Sequence, residues 1–375
     1  MPESPWRDAE RACYPSFRLH RAFYDPSKPL WRTLMRSGWF ILALKLAQAA
    51  FATLLLVLVG GPRSVSLALV VPETISIVSM PVPLQANAPE RRRAGQLTLM
   101  AGWLLKSRSP QFGGWSGLHI EGDRVTAIGD YGSVLRFRLT PFGRAVDARI
   151  DPLPAGCGRQ DDKRQRDSEA LIAVPGGWWV AYESDNRLCK VTSDFSRALA
   201  LRRPPSMARW DKRYGAEAIL KLIDGRFLVF AERSPPGGVG RPLLVFAGDP
   251  AGVGTPVSIR RYGPPSGFSP TDAAQLPDGR ILILNRRFSF AGLFETIVTV
   301  VDTAQIESGA PVTSVPIARF SAPTLHDNFE GLAVTVEQGR PIIWMISDDN
   351  FLSWQGTYLL KFALDADPVT PDLRN

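Results

Sequence analysis

Asn328-Phe329-Glu330-Gly331-Leu332 opens a strand-like run, and its order of residue types occurs five times in the chain. An acidic or small polar residue comes first, then Gly or Ala, then an aliphatic strand. The other members are Trp115-Ser116-Gly117-Leu118, Asp167-Ser168-Glu169-Ala170-Leu171, Gly215-Ala216-Glu217-Ala218-Ile219 and Thr271-Asp272-Ala273-Ala274. With Gly117, Ala170, Ala218, Ala273 and Gly331 taken as equivalent, the steps are 53, 48, 55 and 58 residues. Self-similarity at such a period marks a repeat architecture.

After each member a turn leads to a second strand that ends in a charge. These strands run RVTAIGD to Asp130, GWWVAYE to Glu183, RFLVFAE to Glu232, RILILNR to Arg286 and PIIWMISD to Asp348. A third strand follows: SVLRFRL, RLCKVT, RPLLVFAG, ETIVTVVD and TYLLKFAL. Asp224-Gly225 and Asp278-Gly279 fall between first and second strands, where a hairpin turn needs positive φ. The connection to the next unit has room for a fourth strand. Four antiparallel strands repeated radially make a β-propeller, all-β in class. The leading strand Gly95–Leu105 has no unit of its own, so it joins the last unit to close a ring of six blades, with five as the alternative. The propeller spans residues 95–366, with a tail over 367–375.

The composition agrees. Hydrophobic residues are 45% and charged residues 21%, which is globular, and 32 Gly with 32 Pro favour many turns. The net charge of +8 is uneven: residues 1–94 hold 12 basic and 6 acidic side chains, the rest 32 and 30. A nucleic-acid binder would carry its excess on the folded domain, so nucleic acid is excluded as a partner. Instead the excess flanks GWFILALKLAQAAFATLLLVLVG, Gly38 to Gly60, broken only by Lys45 and Gln48. Residues 37–60 suit a transmembrane helix of about 20 residues, and Arg32 and Arg36 upstream hold residues 1–36 in the cytoplasm. The propeller then lies in the periplasm or outside, behind a 61–94 linker. The rival reading is a signal cleaved after Ala68 or Ala88, with Met35 as the start and a secreted product. Cys13, Cys157 and Cys189 show no metal-ligand spacing; Cys157 and Cys189 either pair in an oxidising compartment or stay as thiols.

In a propeller the first strand of each blade lines the central channel. The repeat therefore predicts a ring of Glu169, Glu217, Asp272 and Glu330 at one rim, with Asp130, Glu183, Glu232 and Asp348 beside it. Converging carboxylates repel unless cations or Arg partners relieve them. Arg286 and Arg287 stand where the fourth unit would carry its acid, so both are candidates for that pairing. Carboxylate oxygens are hard ligands, which makes Ca²⁺ the expected cofactor, held by Asp130, Glu217, Asp272 and Glu330. Glu330, Asp348, Glu169 and Arg287 are the catalytic candidates; Glu183, Glu232, Arg286 and His326 are the substrate-binding ones. Ser116 imitates a nucleophile elbow without its G-x-S-x-G spacing, and three residues along a strand set His119 on the opposite face. The bland alternative for each acid is a hydrogen bond to backbone N–H at the channel mouth. Trp178, Trp179, Trp344, Phe329 and Phe351 are expected mainly as wedges between blades.

Phe112-Gly113-Gly114-Trp115-Ser116-Gly117-Leu118, Pro270-Thr271-Asp272-Ala273-Ala274, Asp327 to Ala333 and Ser347-Asp348-Asp349-Asn350-Phe351 resemble stretches of the bacterial phytase-like family. The resemblance runs from about Gly95 to Leu364. It implies an exported propeller with phosphoesterase or esterase activity on a small-molecule ester. The chain departs from well-understood propeller phytases in lacking an obvious cluster of Lys and acids for a highly phosphorylated substrate. A non-catalytic binding propeller of the envelope and a lactonase-type hydrolase are the alternatives.

Overall fold

Runs such as Phe227-Leu228-Val229-Phe230-Ala231 are buried along their whole length, because in this fold a middle strand has a neighbouring sheet against each face. Outer strands show the alternation expected of one solvated face. The computed structural model describes residues 69–365 except Pro236, together with Leu42, Lys45, Leu46 and Gln48, which are helical. The rest of the predicted membrane segment, residues 37–60, lies outside the described residues. Among the described residues no helix is long and apolar enough to cross a membrane.

The chain enters through β1 (Glu73–Thr74), β2 (Ile77–Pro81), β3 (Arg93–Ala94) and β4 (Leu97–Ser107). Blade 1 is β5 (Trp115–Glu121), β6 (Arg124–Gly129), β7 (Ser133–Leu139) and β8 (Ala145–Pro152). Blade 2 is β9 (Ser168–Val174), β10 (Gly177–Tyr182), β11 (Arg187–Thr192) and β12 (Ala198–Arg202). Blade 3 is β13 (Ala216–Lys221), β14 (Phe227–Ala231), β15 (Arg241–Phe246) and β16 (Val257–Gly263). Blade 4 is β17 (Ser269–Gln275), β18 (Ile281–Ser289), β19 (Leu293–Val301) and β21 (Val315–Phe320), interrupted by a short helix and β20 (Val312–Thr313), which pairs with β16. Blade 5 is β22 (Phe329–Glu337), β23 (Arg340–Ser347) and β24 (Thr357–Leu364), completed by β4.

The ring has five blades, not six. Strand β4 pairs with β24 from Thr357↔Leu105 to Leu364↔Leu97, so the leading strand fills the last blade and founds none. Five apolar clusters, one at each seam, follow from that count. Trp115 and Leu118 meet Trp344 and Ile346 across the seam of blades 5 and 1, and Leu284 meets Met345 across that of blades 4 and 5. Trp179, Trp344, Phe329 and Phe351 are buried as expected, and the half-buried Trp178 wedges between His119 of blade 1 and Phe195 of blade 2.

Part of the segment assigned to the linker is built into the sheets. Strand β1 extends blade 1 at β8, and β2 extends blade 5 at β4. Leu84 is buried in the seam of blades 4 and 5 and accepts a hydrogen bond from Leu325 N at 2.6 Å. The Asp-Gly turns hold as read: Gly225 and Gly279 have φ of 93° and 92°. Asp224 and Asp278 each accept from the amide two residues on, at 3.0 Å. Cys157 and Cys189 form a disulfide within blade 2 and its approach.

Candidate functional site at the channel mouth

Every inner strand carries a β-bulge near its start. In four blades the bulged residue joins the acids of the mouth, while the Thr271 hydroxyl of blade 4 donates to the Phe329 carbonyl. The ladder skips Ser116 in β5, Glu169 in β9, Glu217 in β13, Thr271 in β17 and Glu330 in β22. A bulge turns one side chain out of the alternation and so can aim it at the axis. Beyond the bulge four of the five blades carry a small residue, because inner strands crowd together there. A Cβ on Gly331 would stand 2.9 Å from Leu118 Cβ, and one on Gly117 3.2 Å from Ala170 Cα.

A second residue joins the mouth from the end of each second strand. The amides of Asp130, Glu183, Glu232 and Asp348 donate to the carbonyls of Gly114, Asp167, Gly215 and Asn328, at 3.1, 3.0, 3.0 and 2.8 Å. In blade 4 this place is taken by Arg286, paired with Ser269. The chain thus repeats one backbone device five times, with acids in four blades and a guanidinium in the other.

The side chains converge. Asp130, Glu330 and Asp348 form one group whose ligand oxygens lie within 4.8 Å of one another; Asp167, Glu169 and Glu183 form a second, and Glu183, Glu217 and Glu232 a third. Arg286 sits 2.7 Å from Glu330 and 3.5 Å from Glu232, and donates to Asn328 Oδ1 at 2.8 Å. Asn328 Nδ2 in turn donates to Glu330 Oε1 at 3.0 Å and Asp348 Oδ2 at 3.2 Å. Ser116 donates to Asp130 Oδ1 at 2.8 Å, and Lys163 pairs with Asp167 at 3.0 Å.

Gathering acids away from water favours their neutral forms. Burial, then the charges of Glu330 and Asp167, push Asp130 up to about 7. Burial and the adjacent Asp167 push Glu183 up to about 9. Glu169, Glu217 and Asp348 lie well above the ordinary carboxyl range, through burial first and neighbouring acids second. Burial opposes the charge on Arg286, but Glu330, Glu232 and Glu217 outweigh it and hold the guanidinium more firmly protonated.

Two sequence candidates stand elsewhere, and a third is held within its own loop. Asp272 is in no carboxylate group; its oxygens accept from Ala273 N at 2.8 Å and Leu332 N at 2.7 Å, tying blade 4 to blade 5. The fourth repeat is shifted by one residue from the alignment that its sequence suggests: Thr271 is the bulged residue, and Asp272 pairs with Leu284 in the place that is small in the other blades. A slip of one residue moves a side chain to the other face. Arg287, next along β18, likewise turns away from the acids. It pairs with Glu295 and lies over the Phe268 ring, 4.7 Å from Arg Cζ to ring centroid. His326 Nδ1 is 2.7 Å from the carbonyl of Thr324, two residues back in its own loop. Ser116 and His119 do part: the hydroxyl serves Asp130, and the imidazole sits edge-on to Trp178, 4.9 Å between centroids.

Residues the sequence reading passed over complete the site. Asp167 and Asn328 each precede a bulged glutamate by two residues, so the repeat already contained the signal. Asp327 accepts from Gln355 Nε2, Gly356 N and Asn328 N, which shapes the loop after β23. Asn350 and Phe351 take left-handed backbone, φ 45° and 52°, with Asp348 and Asp349 accepting their amides at 2.6 and 3.1 Å. Gly113 and Gly114, φ 141° and 67°, pass close beneath Asp349 and Phe351. The Phe112–Leu118 and Ser347–Phe351 stretches therefore meet in space.

The model of the family described as "Phytase-like: Esterase-like activity of phytase" matches residues 110–351. The chain belongs to the phytase-like family. All five blades contribute to the matched span of this phytase-like propeller, and both stretches that meet beside Asp348 fall within it. None of the curated proteins compared with it matches. Among solved structures it is similar to Kuenenia stuttgartiensis hydrazine synthase, at 12% identity over 62% of this chain and 64% of that one, TM-score 0.35. It is similar also to Myxococcus xanthus glutaminyl cyclase (12%, 67% and 91%, TM-score 0.40) and to an endo-arabinase from Bacteroides thetaiotaomicron (10%, 67% and 94%, TM-score 0.45). The chain spans less than two thirds of the hydrazine synthase chain. At these identities and scores the structures carry no functional information.

Proposed function

We propose that this phytase-like propeller is an exported, cation-dependent hydrolase of phosphoesters or other esters, acting at the acidic mouth. The observation that carries the reading is the convergence of acids from four blades on one mouth, linked by Arg286. The residues fit calcium. Ligand oxygens on one Ca²⁺ stand at most about 5 Å apart, and those of Asp130, Glu330 and Asp348 lie within 4.8 Å. When bound, the cation would supply Lewis-acid polarisation of an ester or phosphoryl oxygen.

The chain's own residues fix the rest. Asn328 holds Glu330 and Asp348 in place, and Ser116 holds Asp130. Those bonds fall on Oε1 of Glu330 and Oδ1 of Asp130. Arg286 and Lys163 are engaged by acids, and even with Arg233 and Arg241, which favour the charge on Glu232, the mouth holds more acids than bases. An anionic substrate therefore needs a cation to offset the carboxylates. Hydrolysis adds water across the ester: the acyl or phosphoryl group takes the hydroxyl and the leaving oxygen takes the proton. Export is supported by the basic residues before the apolar run and by the buried Cys157–Cys189 disulfide.

The test is turnover of p-nitrophenyl phosphate and p-nitrophenyl acetate by the purified protein, with Ca²⁺ and with EGTA. Glu330→Gln and Asp348→Asn are expected to abolish Ca²⁺-dependent turnover. Activity indifferent to both substitutions would sink the proposal. A Ca²⁺-raised melting temperature without hydrolysis would assign the mouth to a binding scaffold.

A further inference from the structure

Blade 4 differs from the other blades in keeping its ladder past the acids: its neighbours, blades 3 and 5, cross a similar length, Ala231 to Arg241 and Ser347 to Thr357, as loops. Blades 1 and 2 turn from second to third strand within a few residues, between Gly129 and Ser133 and between Tyr182 and Arg187. In blade 4 the pairing of β18 with β19 continues beyond Arg286↔Thr296 to Arg287↔Glu295, Phe288↔Phe294 and Ser289↔Leu293. Because side chains alternate along a strand, Phe288 shares the face of Arg286, and Phe294 lies opposite Phe288 on that same face.

Arg286 is the residue that meets Glu330 and Glu232, so the same face carries phenyl rings outward from the acidic mouth. The Arg286 Cζ lies 6.0 Å from the Phe294 ring centroid. The Phe288 ring is 5.0 Å from Phe294 and 5.7 Å from Phe290. Phe290 is 92% exposed and Phe288 50%. Single exposed apolar residues are ordinary, but contiguous rings bordering a polar site mark a place where something apolar is bound. The opposite face is braced, with Glu295 paired to both Arg287 and Arg319. The base of the hairpin is thus held in place on that face.

We infer that this hairpin is the apolar subsite of the mouth, taking the aryl or acyl group of an ester whose scissile end lies on the carboxylates. The inference rests on the hydrolase reading above and names its substrate class. Sites for small molecules combine apolar walls with a few polar groups that fix orientation, which is the division seen between Phe288, Phe290 and Phe294 on one side and the acids on the other.

The test uses the full chain with Ca²⁺ and two pairs of esters: p-nitrophenyl octanoate against acetate, and naphthyl phosphate against glycerol phosphate. The wild type is expected to favour the apolar member of at least one pair. Phe288→Ser/Phe290→Ser should lower the ratio of kcat/KM, apolar to small, by about tenfold. Turnover without that preference, or an equal loss on both members, overturns the subsite alone. No turnover of any of the four esters overturns the hydrolase reading and the subsite with it. Sedimentation with phosphatidylcholine vesicles that depends on Phe290, with ester ratios unchanged, assigns the tip to a membrane and likewise overturns the subsite.

Discussion

Blades 3 and 4 share one backbone plan and differ in charge. In both, the inner strand bulges at its start and a residue at the end of the second strand reaches the mouth. Blade 3 fills those two places with Glu217 and Glu232; blade 4 fills them with Thr271 and Arg286. The fold supplies equivalent positions, and the side chains decide what each position does. A mouth built five times on the blade 3 pattern would hold acids with no internal counter-charge. Blade 4 provides one, and Arg286 reaches the acids of both flanking blades.

The largest expected effect comes from removing that counter-charge. Arg286→Met leaves Glu330 and Glu232 without their guanidinium in a site largely closed to water. Loss of one partner of a buried pair costs about 3–5 kcal/mol, and urea unfolding in EGTA should show a destabilisation of that order. Added Ca²⁺ should then stabilise the variant more than the wild type, since the cation takes over the neutralising role. An unchanged unfolding midpoint in EGTA would show that blade 4 does not balance the others.

The next effect separates the two acids that look alike in the sequence. Asp272 and Glu330 both precede a small residue in their repeats, yet Asp272 serves backbone amides and Glu330 faces the mouth. Asp272→Ala leaves Leu332 N–H and Ala273 N–H without acceptors, at a cost of about 2 kcal/mol. Because Asp272 belongs to no carboxylate group, Ca²⁺ should stabilise this variant and the wild type equally. A weakened Ca²⁺ response, seen by melting at several Ca²⁺ concentrations, would return Asp272 to the ring.

That pair also shows how far the sequence could be read. The propeller was legible because its signals are local: alternating or wholly apolar strands, Asp-Gly turns, and a small residue after the rim position in four of the five repeats. The blade count was overstated although the leading strand was expected to join the last unit: β4 pairs with β24 as the fourth strand of blade 5, so five repeat units make five blades. Glu330, Asp348, Glu169, Glu183, Glu217, Glu232, Asp130 and Arg286 were identified from the repeat and do meet at one mouth. The misplacements are single-residue errors. Asp272 fell one place from the bulge, and Arg287 one place from the face that Arg286 presents. A bulge shifts the alternation by one residue, so the repeat locates a rim to within one position without saying which of two neighbours points inward.

A smaller effect distinguishes the acid-rich blades from blade 4 through pH. Asp130 is held at about 7 and Glu183 at about 9, both through burial first and neighbouring acids second. In the unfolded chain each ionises near 4. The fold therefore favours their protonated forms, and the stability they contribute is whole below about pH 4. It is lost as the pH rises, first through about 7 for Asp130 and then about 9 for Glu183. In EGTA the melting temperature should fall between pH 5 and pH 9, by an amount on the order of 5 °C. Saturating Ca²⁺ should flatten or reverse the slope, because a cation favours the ionised acids. Arg286→Met should steepen the fall in EGTA, since the remaining acids then ionise with less compensation. A melting temperature that rises with pH in EGTA would mean the four acidic blades are already balanced without metal, and the contrast with blade 4 would lose its electrostatic basis.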